Sequence, residues 1–183
     1  MIELIQKAAD YAEWAHKHQV RKYTGEPYFT HCQGVVDNLL ISNNKVSGEM
    51  IAAAYLHDVV EDTQVTINDI EEEFGNNVAT LVYGLTKQTR LSDGNRAVRK
   101  EFERQRLSDV SKEVQLIKHA DLIHNLPSIV QYDPEFAVTW LKEMRELLDS
   151  MTKVESNLRT LAYRLLDVAE KSLEEENMKS DNP

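Results

Sequence analysis

The sequence predicts an all-α fold, a single-domain helical bundle of roughly eight to ten helices. Three observations carry that prediction. Apolar residues recur at spacings of three and four along most of the chain. Sustained apolar–polar alternation is missing, and so are Asn-Gly or Asp-Gly hairpins between β-branched runs. No repeat or linker divides the 183 residues, a length that suits one domain with a proper core.

The elements follow in order. Leu4, Ile5, Ala8, Ala9, Ala12 and Ala15 form the stripe of a first helix, and His16 and His18 beyond it read as surface residues. Val35, Val36, Leu39 and Leu40 mark a second helix. Met50 to Leu56 is apolar all round, as expected at the centre of a bundle. Thr66 and Asp69 have capping-box spacing, and Gly75 is a natural stop for that short helix. Val78, Leu81, Val82 and Leu85 continue the period, and the polar segment from Thr86 to Asn95 reads as a loop. Later stripes are Val114, Ile117 and Ala120, then Trp140, Met144, Leu147 and Met151. A last helix carries Leu158, Leu161, Leu165 and Val168. The domain is expected over 1–175, with 176–183 a frayed polar tail.

Composition narrows the function. Hydrophobic residues make up 42%, which marks a globular chain. The 31 acidic against 21 Lys and Arg residues give a net charge of −10. That charge argues against nucleic-acid binding, which runs on neutralising phosphates. A small anion can still bind through a local basic pocket or a bound cation. Cys32 is the one cysteine, so no internal disulfide and no Cys-based zinc site is expected, and it reads as a small buried residue. Met1 to Asp10 lacks a signal peptide's apolar run, and no stretch approaches a membrane span. The expectation is a cytoplasmic protein with no membrane partner.

Four groups carry chemistry. His31 follows the turn Gly25-Glu26-Pro27-Tyr28. His57 and Asp58 end the run Ala52-Ala53-Ala54-Tyr55-Leu56, and Glu61 and Asp62 come next. Asp121 lies between Ile117 and Asn125. On a continuous helix His57 and Glu61 share a face, and Asp58 and Asp62 do so one step round. Burying such groups unpaired costs several kcal/mol each, and a divalent cation removes the need. Two imidazoles with carboxylates suit manganese, iron or zinc. Open positions on the ion would take a water and a phosphate oxygen. A His-Asp pair by itself is a weak signal, and a core histidine beside a solvated helix end is its plainer reading.

The ordered set His31, His57-Asp58 and Asp121 resembles the H…HD…D signature of HD-domain phosphohydrolases. Further segments narrow the resemblance to the RelA/SpoT-type guanosine tetraphosphate hydrolases. Arg21-Lys22-Tyr23-Thr24-Gly25-Glu26-Pro27-Tyr28 is similar to their entry loop, and His57-Asp58-Val59-Val60-Glu61-Asp62-Thr63 to their HDxxED motif. Phe74-Gly75, Val82-Tyr83-Gly84-Leu85-Thr86-Lys87, and Lys118-His119-Ala120-Asp121 with Asn125 fit the same pattern. The resemblance runs from about Leu4 to Met151.

The resemblance implies an HD-domain fold and a Mn2+ ion held by His31, His57, Asp58 and Asp121. It implies removal of the 3′-pyrophosphate from ppGpp or pppGpp to give GDP or GTP. Glu61 and Asp62 would handle the attacking water and the proton transfers. Arg21 would stack on the purine, and Lys22 would add positive charge near the phosphates. Asn125, one turn after Asp121, would face the same cleft, and Ser128 matches a threonine that contacts the nucleotide. As plain structure, Arg21 and Lys22 are solvated charges and Asn125 a helix cap. His119 and His124 match no ligand and read as structural or exposed.

The chain departs from its relatives in three places. Cys32 stands where proline is common, Leu122 where arginine is, and Pro127 where a polar or basic residue is usual. The basic run Arg96, Arg99, Lys100, Arg104 and Arg106 either lines the phosphate side or forms an exposed helix paired with Glu101 and Glu103. With no room for the long members' further domains, the chain resembles a small stand-alone hydrolase. The implied partner is a guanine nucleotide, with homo-oligomerisation left open. Two other readings remain: another nucleotide with a 3′ or 2′ phosphate, such as NADPH, or a catalytically silent HD module for sensing. The intact Glu61-Asp62 pair favours an enzyme.

Overall fold

The computed structural model describes residues 1–180. Ten helical segments follow one another: α1 (Ile2–Ala15), α2 (Phe29–Leu40), α3 (Gly48–Leu56), α4 (Val59–Asp62), α5 (Ile67–Phe74), α6 (Asn76–Leu85), α7 (Arg96–Asp109), α8 (Lys112–Tyr132), α9 (Pro134–Ser150) and α10 (Asn157–Ser180). A 3-10 turn at Leu91–Asp93 interrupts the loop before α7. Among the described residues the only β pairing is an isolated bridge, Val20 to Pro27, which closes the turn holding Gly25 at φ 71°. No helix among the described residues is long and apolar enough to cross a membrane.

Two helices organise the core. α3 packs against α1, α2 and α6, and its alanines at 52, 53 and 54 let the backbones come close. α8 packs against α2, α6, α9 and α10. It buries Gln115, His119 and Asp121 along with its apolar residues. Sequence signals fix several helix ends. Ser47 accepts from the Met50 N–H, Asn95 from Val98 and Ser111 from Val114, each satisfying an orphan donor. Thr66 and Asp69 cap each other reciprocally, and Gly75 at φ 83° stops α5.

The structure departs from the sequence expectations in four places. α3 ends at Leu56, and His57 and Asp58 form a turn before the separate α4, so the motif is not one continuous helix. The His57 Nδ1 donates back to the Ala54 carbonyl, and Asp58 sits at φ −102°, ψ −5°. On α10 the buried face is Leu158, Ala162, Leu166, Ala169 and Leu173, while Val168 is exposed. Leucines on both sides of that helix blurred the stripe. His16 is buried, its ring tilted against Tyr28 with centroids 4.6 Å apart, although His18 is exposed as expected. Helix α10 reaches Ser180, past the start of the expected tail, and residues 181–183 lie outside the described residues.

One buried polar side chain ties the second half together. Gln115 donates to the carbonyls of Leu107 and Ser108 at 2.9 and 3.2 Å and accepts from the Lys153 N–H at 3.0 Å. It thereby joins the end of α7, the start of α8 and the connection after α9. Replacing Gln115 with Leu keeps the volume but orphans three backbone groups. Gln115→Leu is expected to cost about 2–4 kcal/mol. Urea unfolding checks this: the midpoint should fall at unchanged slope. An unmoved midpoint would contradict the assignment.

Candidate metal centre

Two helices and a turn deliver the candidate ligands. α2 carries His31 in its first turn, the turn between α3 and α4 carries His57 and Asp58, and α8 carries Asp121. The His31 and His57 Nε2 atoms lie 3.2 Å apart. Asp58 Oδ2 is 2.9 Å from His57 Nε2 and 3.6 Å from His31 Nε2. Asp121 Oδ1 is 3.3 Å from His31 Nε2 and 3.9 Å from His57 Nε2. Ligand bonds near 2.1 Å in octahedral or tetrahedral geometry give donor-to-donor edges of about 3.0–3.4 Å. The His57–Asp58, His31–His57 and His31–Asp121 separations are close to those of a coordination shell, while Asp121 stands farther from His57. Ligand atoms of His31, His57 and Asp58 all lie within 4.8 Å of one another. The chemistry agrees with the spacing: both His57 Nδ1 and His31 Nδ1 are engaged elsewhere, which turns both Nε2 atoms inward.

The charges are strongly coupled. Burial opposes a charge on His57, but Asp58 and Asp121 outweigh it and raise its pKa to about 9. Burial also opposes the Asp58 carboxylate, and the neighbouring imidazoles hold its pKa well below the usual range. Asp121 behaves alike: burial opposes its charge, and Lys118 and His31 overcome that and lower its pKa.

A second layer holds the ligands. Lys118 Nζ donates to Asp121 Oδ2 at 2.7 Å, and Asn125 Nδ2 donates to Oδ1 at 2.6 Å. Arg21 Nη2 donates to Asn125 Oδ1 at 2.9 Å, so the entry loop is tied to Asp121 through one side chain. Tyr28 donates to Asp58 Oδ2 at 2.6 Å. Asn125 lies inside α8 and is no helix cap.

Glu61 and Asp62 lie on α4, beside the centre. Burial raises the Glu61 pKa, the Lys87 N–H bond at 3.1 Å pulls it back, and Asp58 pushes it up again. Burial and Asp58 raise Asp62. A carboxyl tuned upward beside a polar cleft is better suited to accepting a proton than an ordinary one. The loop that supplies the Lys87 N–H is strapped down by buried Glu103, which accepts from Gln88 N, Thr89 N and Arg106 Nε at 2.8–2.9 Å.

Cavities flank the centre. One of about 250 Å³ touches Glu61 and Lys118 and is lined by Lys87, Lys100, Arg104 and Arg106. The other, about 590 Å³, is lined by Arg21, Asn38, His124, Ser128, Gln131 and Tyr132. Most of the basic run is paired with acids, as its plainer reading expected: Lys100 meets Glu143 and Arg106 meets Glu103. Arg96 and Arg104 pair with Glu143 and with Glu101 and Glu146, yet Lys100, Arg104 and Arg106 still border a cavity. Lys22 is not brought to either cavity; it is exposed and pairs with Asp133 at 3.2 Å.

The HD-domain family profile matches residues 8–148. The chain belongs to the HD-domain family. Among its relatives, the bifunctional (p)ppGpp synthase/hydrolase SpoT of Escherichia coli K12 is 36% identical over 137 residues, 73% of this chain and 19% of that protein. The guanosine-3′,5′-bis(diphosphate) 3′-pyrophosphohydrolase of Spiroplasma citri is 29% identical over 172 residues, 89% of this chain and 23% of that protein. The chain thus spans about a fifth of the length of these curated relatives. A solved structure of a metazoan ortholog of SpoT that hydrolyses ppGpp superposes with a TM-score of 0.79 at 26% identity, covering 92% of this chain and 94% of that one.

For this HD-domain protein, sequence reasoning overlooked His124. Its Nδ1 pairs with His31 Nδ1 at 2.8 Å. Its place three residues after Asp121, on the same helical face, was the available signal. His119 is buried and structural, with its Nδ1 donating to the Gln115 carbonyl at 2.6 Å, and burial lowers its pKa to about 4. Cys32 is fully buried, and burial raises its thiol pKa.

The His57 shift has a signed consequence. Its folded pKa of about 9 stands above the ordinary 6.5. The stability it lends the metal-free protein is complete below pH 6.5 and lost as pH rises through about 9. Melting of chelator-treated protein should show a Tm that falls across that window. Added Mn2+ should raise Tm most at its alkaline end, where the proton no longer competes for the imidazole. A flat profile with and without the ion would contradict the coupling.

Proposed function

We propose that the protein is a metal-dependent hydrolase of ppGpp and pppGpp that releases the 3′-pyrophosphate and leaves GDP or GTP. The observation that carries this reading is the convergence of the His31, His57 and Asp58 donor atoms, with Glu61 and Lys118 on one neighbouring cavity and Arg21 and His124 on another. A nucleotide with phosphates on its ribose needs positive charge near the ion, and Lys87 and Lys118 line the first cavity while Arg21 lines the second. The likeness to relatives named for this activity supports the same substrate.

The residues divide the work. His31, His57, Asp58 and Asp121 would hold the cation, with Mn2+ the ion we expect for a mixed nitrogen and oxygen set. The ion supplies Lewis acidity, polarising a phosphoryl oxygen and making water a better nucleophile. Glu61, raised by burial, takes the proton of the attacking water, and Asp62 returns a proton to the leaving side. Lys118, Lys87 and Lys100 meet phosphate charge at the basic wall. Arg21 offers a planar guanidinium to the purine, steadied by Asn125. Ser128 borders the same cavity. Lys22, held on Asp133, is given no part. A nucleotide substrate and a lone buried thiol fit a cytoplasmic setting.

The test is an assay of purified protein with Mn2+ against ppGpp, pppGpp, GTP and NADPH. Pyrophosphate release from ppGpp and pppGpp is the expected result. Turnover of NADPH alone would assign the site to another phosphorylated nucleotide, and binding without turnover would mark a sensing module. Two variants separate the roles. Asp58→Ala should lose metal binding and turnover together. Glu61→Gln should keep the metal and lose about 10²–10⁴-fold in rate. An unchanged rate in Glu61→Gln would overturn its assignment as base.

A further inference from the structure

An imidazole that binds a metal through one nitrogen needs its other N–H fixed by an acceptor, which sets both tautomer and ring plane. His57 meets this need with a backbone group, the Ala54 carbonyl at 2.8 Å. His31 does not. Its Nδ1 faces another side chain, His124 Nδ1, at 2.8 Å. A neutral His124 with its proton on Nε2 offers Nδ1 as the acceptor that His31 requires.

Packing holds that ring in place. His124 lies against Gly34 of α2 so closely that a Cβ there would overlap the ring. Gly34 is three residues after His31 on the same helix, so α2 supplies both the ligand and the space for its partner. His124 in turn lies three residues after Asp121 on α8. Two ligands and the group that orients one of them are therefore delivered by one helix pair. His124 also borders the cavity that Arg21 lines.

From this arrangement we infer that His124 is a positioning residue of the metal centre, holding His31 in the tautomer that presents Nε2 to the cation. Gly34 is the second part of the device, because a side chain at that position would push His124 off its partner. The inference rests on the four-residue ligand set and is independent of which nucleotide the enzyme takes.

Two variants of nearly equal shape isolate the acceptor. Asn places an oxygen close to where His124 Nδ1 lies, and Leu places a methyl there. Mn2+ titration of the metal-free proteins should show His124→Leu weakened by about 10–100-fold and His124→Asn within about threefold of the unaltered protein. Both metal-free variants should still melt cooperatively, with His124→Leu the lower because it leaves the buried His31 N–H without an acceptor. Equal affinities for Asn and Leu would overturn the inference while leaving the ligand set intact. Failure of the unaltered protein to bind Mn2+ would overturn both. A further readout does not depend on the variants folding. In the Zn2+-loaded protein, long-range ¹H–¹⁵N spectra should show His31 protonated at Nδ1 and ligating through Nε2. His31 found ligating through Nδ1 would contradict the assignment.

Discussion

Two imidazoles and two carboxylates meet within hydrogen-bond distance where α2, α8 and the turn after α3 converge, and that convergence constrains everything around it. Each charge withdrawn from water costs several kcal/mol unless it is paired. The protein answers in layers. The carboxylates face the imidazoles, Lys118 and Tyr28 take further carboxylate oxygens, and backbone or His124 takes the outer imidazole nitrogens. Without a cation the two carboxylates favour a proton on His57, and its raised pKa expresses that pull against burial. A divalent ion bound there would satisfy the inward nitrogens and the carboxylates together.

The surroundings follow from the same constraint. The three alanines of α3 bring its end deep into the bundle, so that His57 emerges among α2 and α8 rather than at the surface. The break at His57 and Asp58 then turns α4 outward, and this carries Glu61 and Asp62 to the border of the centre. One break in a helix thus separates His57 and Asp58 from Glu61 and Asp62. Against a net charge of −10, five lysines and arginines gather along one cavity wall, three of them paired with glutamates of the same wall.

The first layer was legible in the sequence because its residue types are costly at the end of an apolar run, and His57-Asp58 advertised that cost. The capping box at Thr66 and the stop at Gly75 were legible for the same reason, being local. What escaped was non-local. The His31–His124 pair joins residues 93 apart in the chain, and the Arg21–Asn125 bond joins residues 104 apart. No period reveals such contacts. The break after Leu56 escaped because no glycine or proline marks it; a side-chain bond back to Ala54 does the work instead. The face of α10 was misread by one position because leucines occupy both of its sides.

The account stands on one cation gripped by nitrogen and oxygen from three segments of the chain. Pulsed EPR of the Mn2+-loaded protein reads this directly through the coordinated nitrogens. Two imidazole nitrogens per ion are expected, falling to one in His31→Ala. A bound ion with an all-oxygen shell would show that the metal sits elsewhere, and the proposed centre would fall with it.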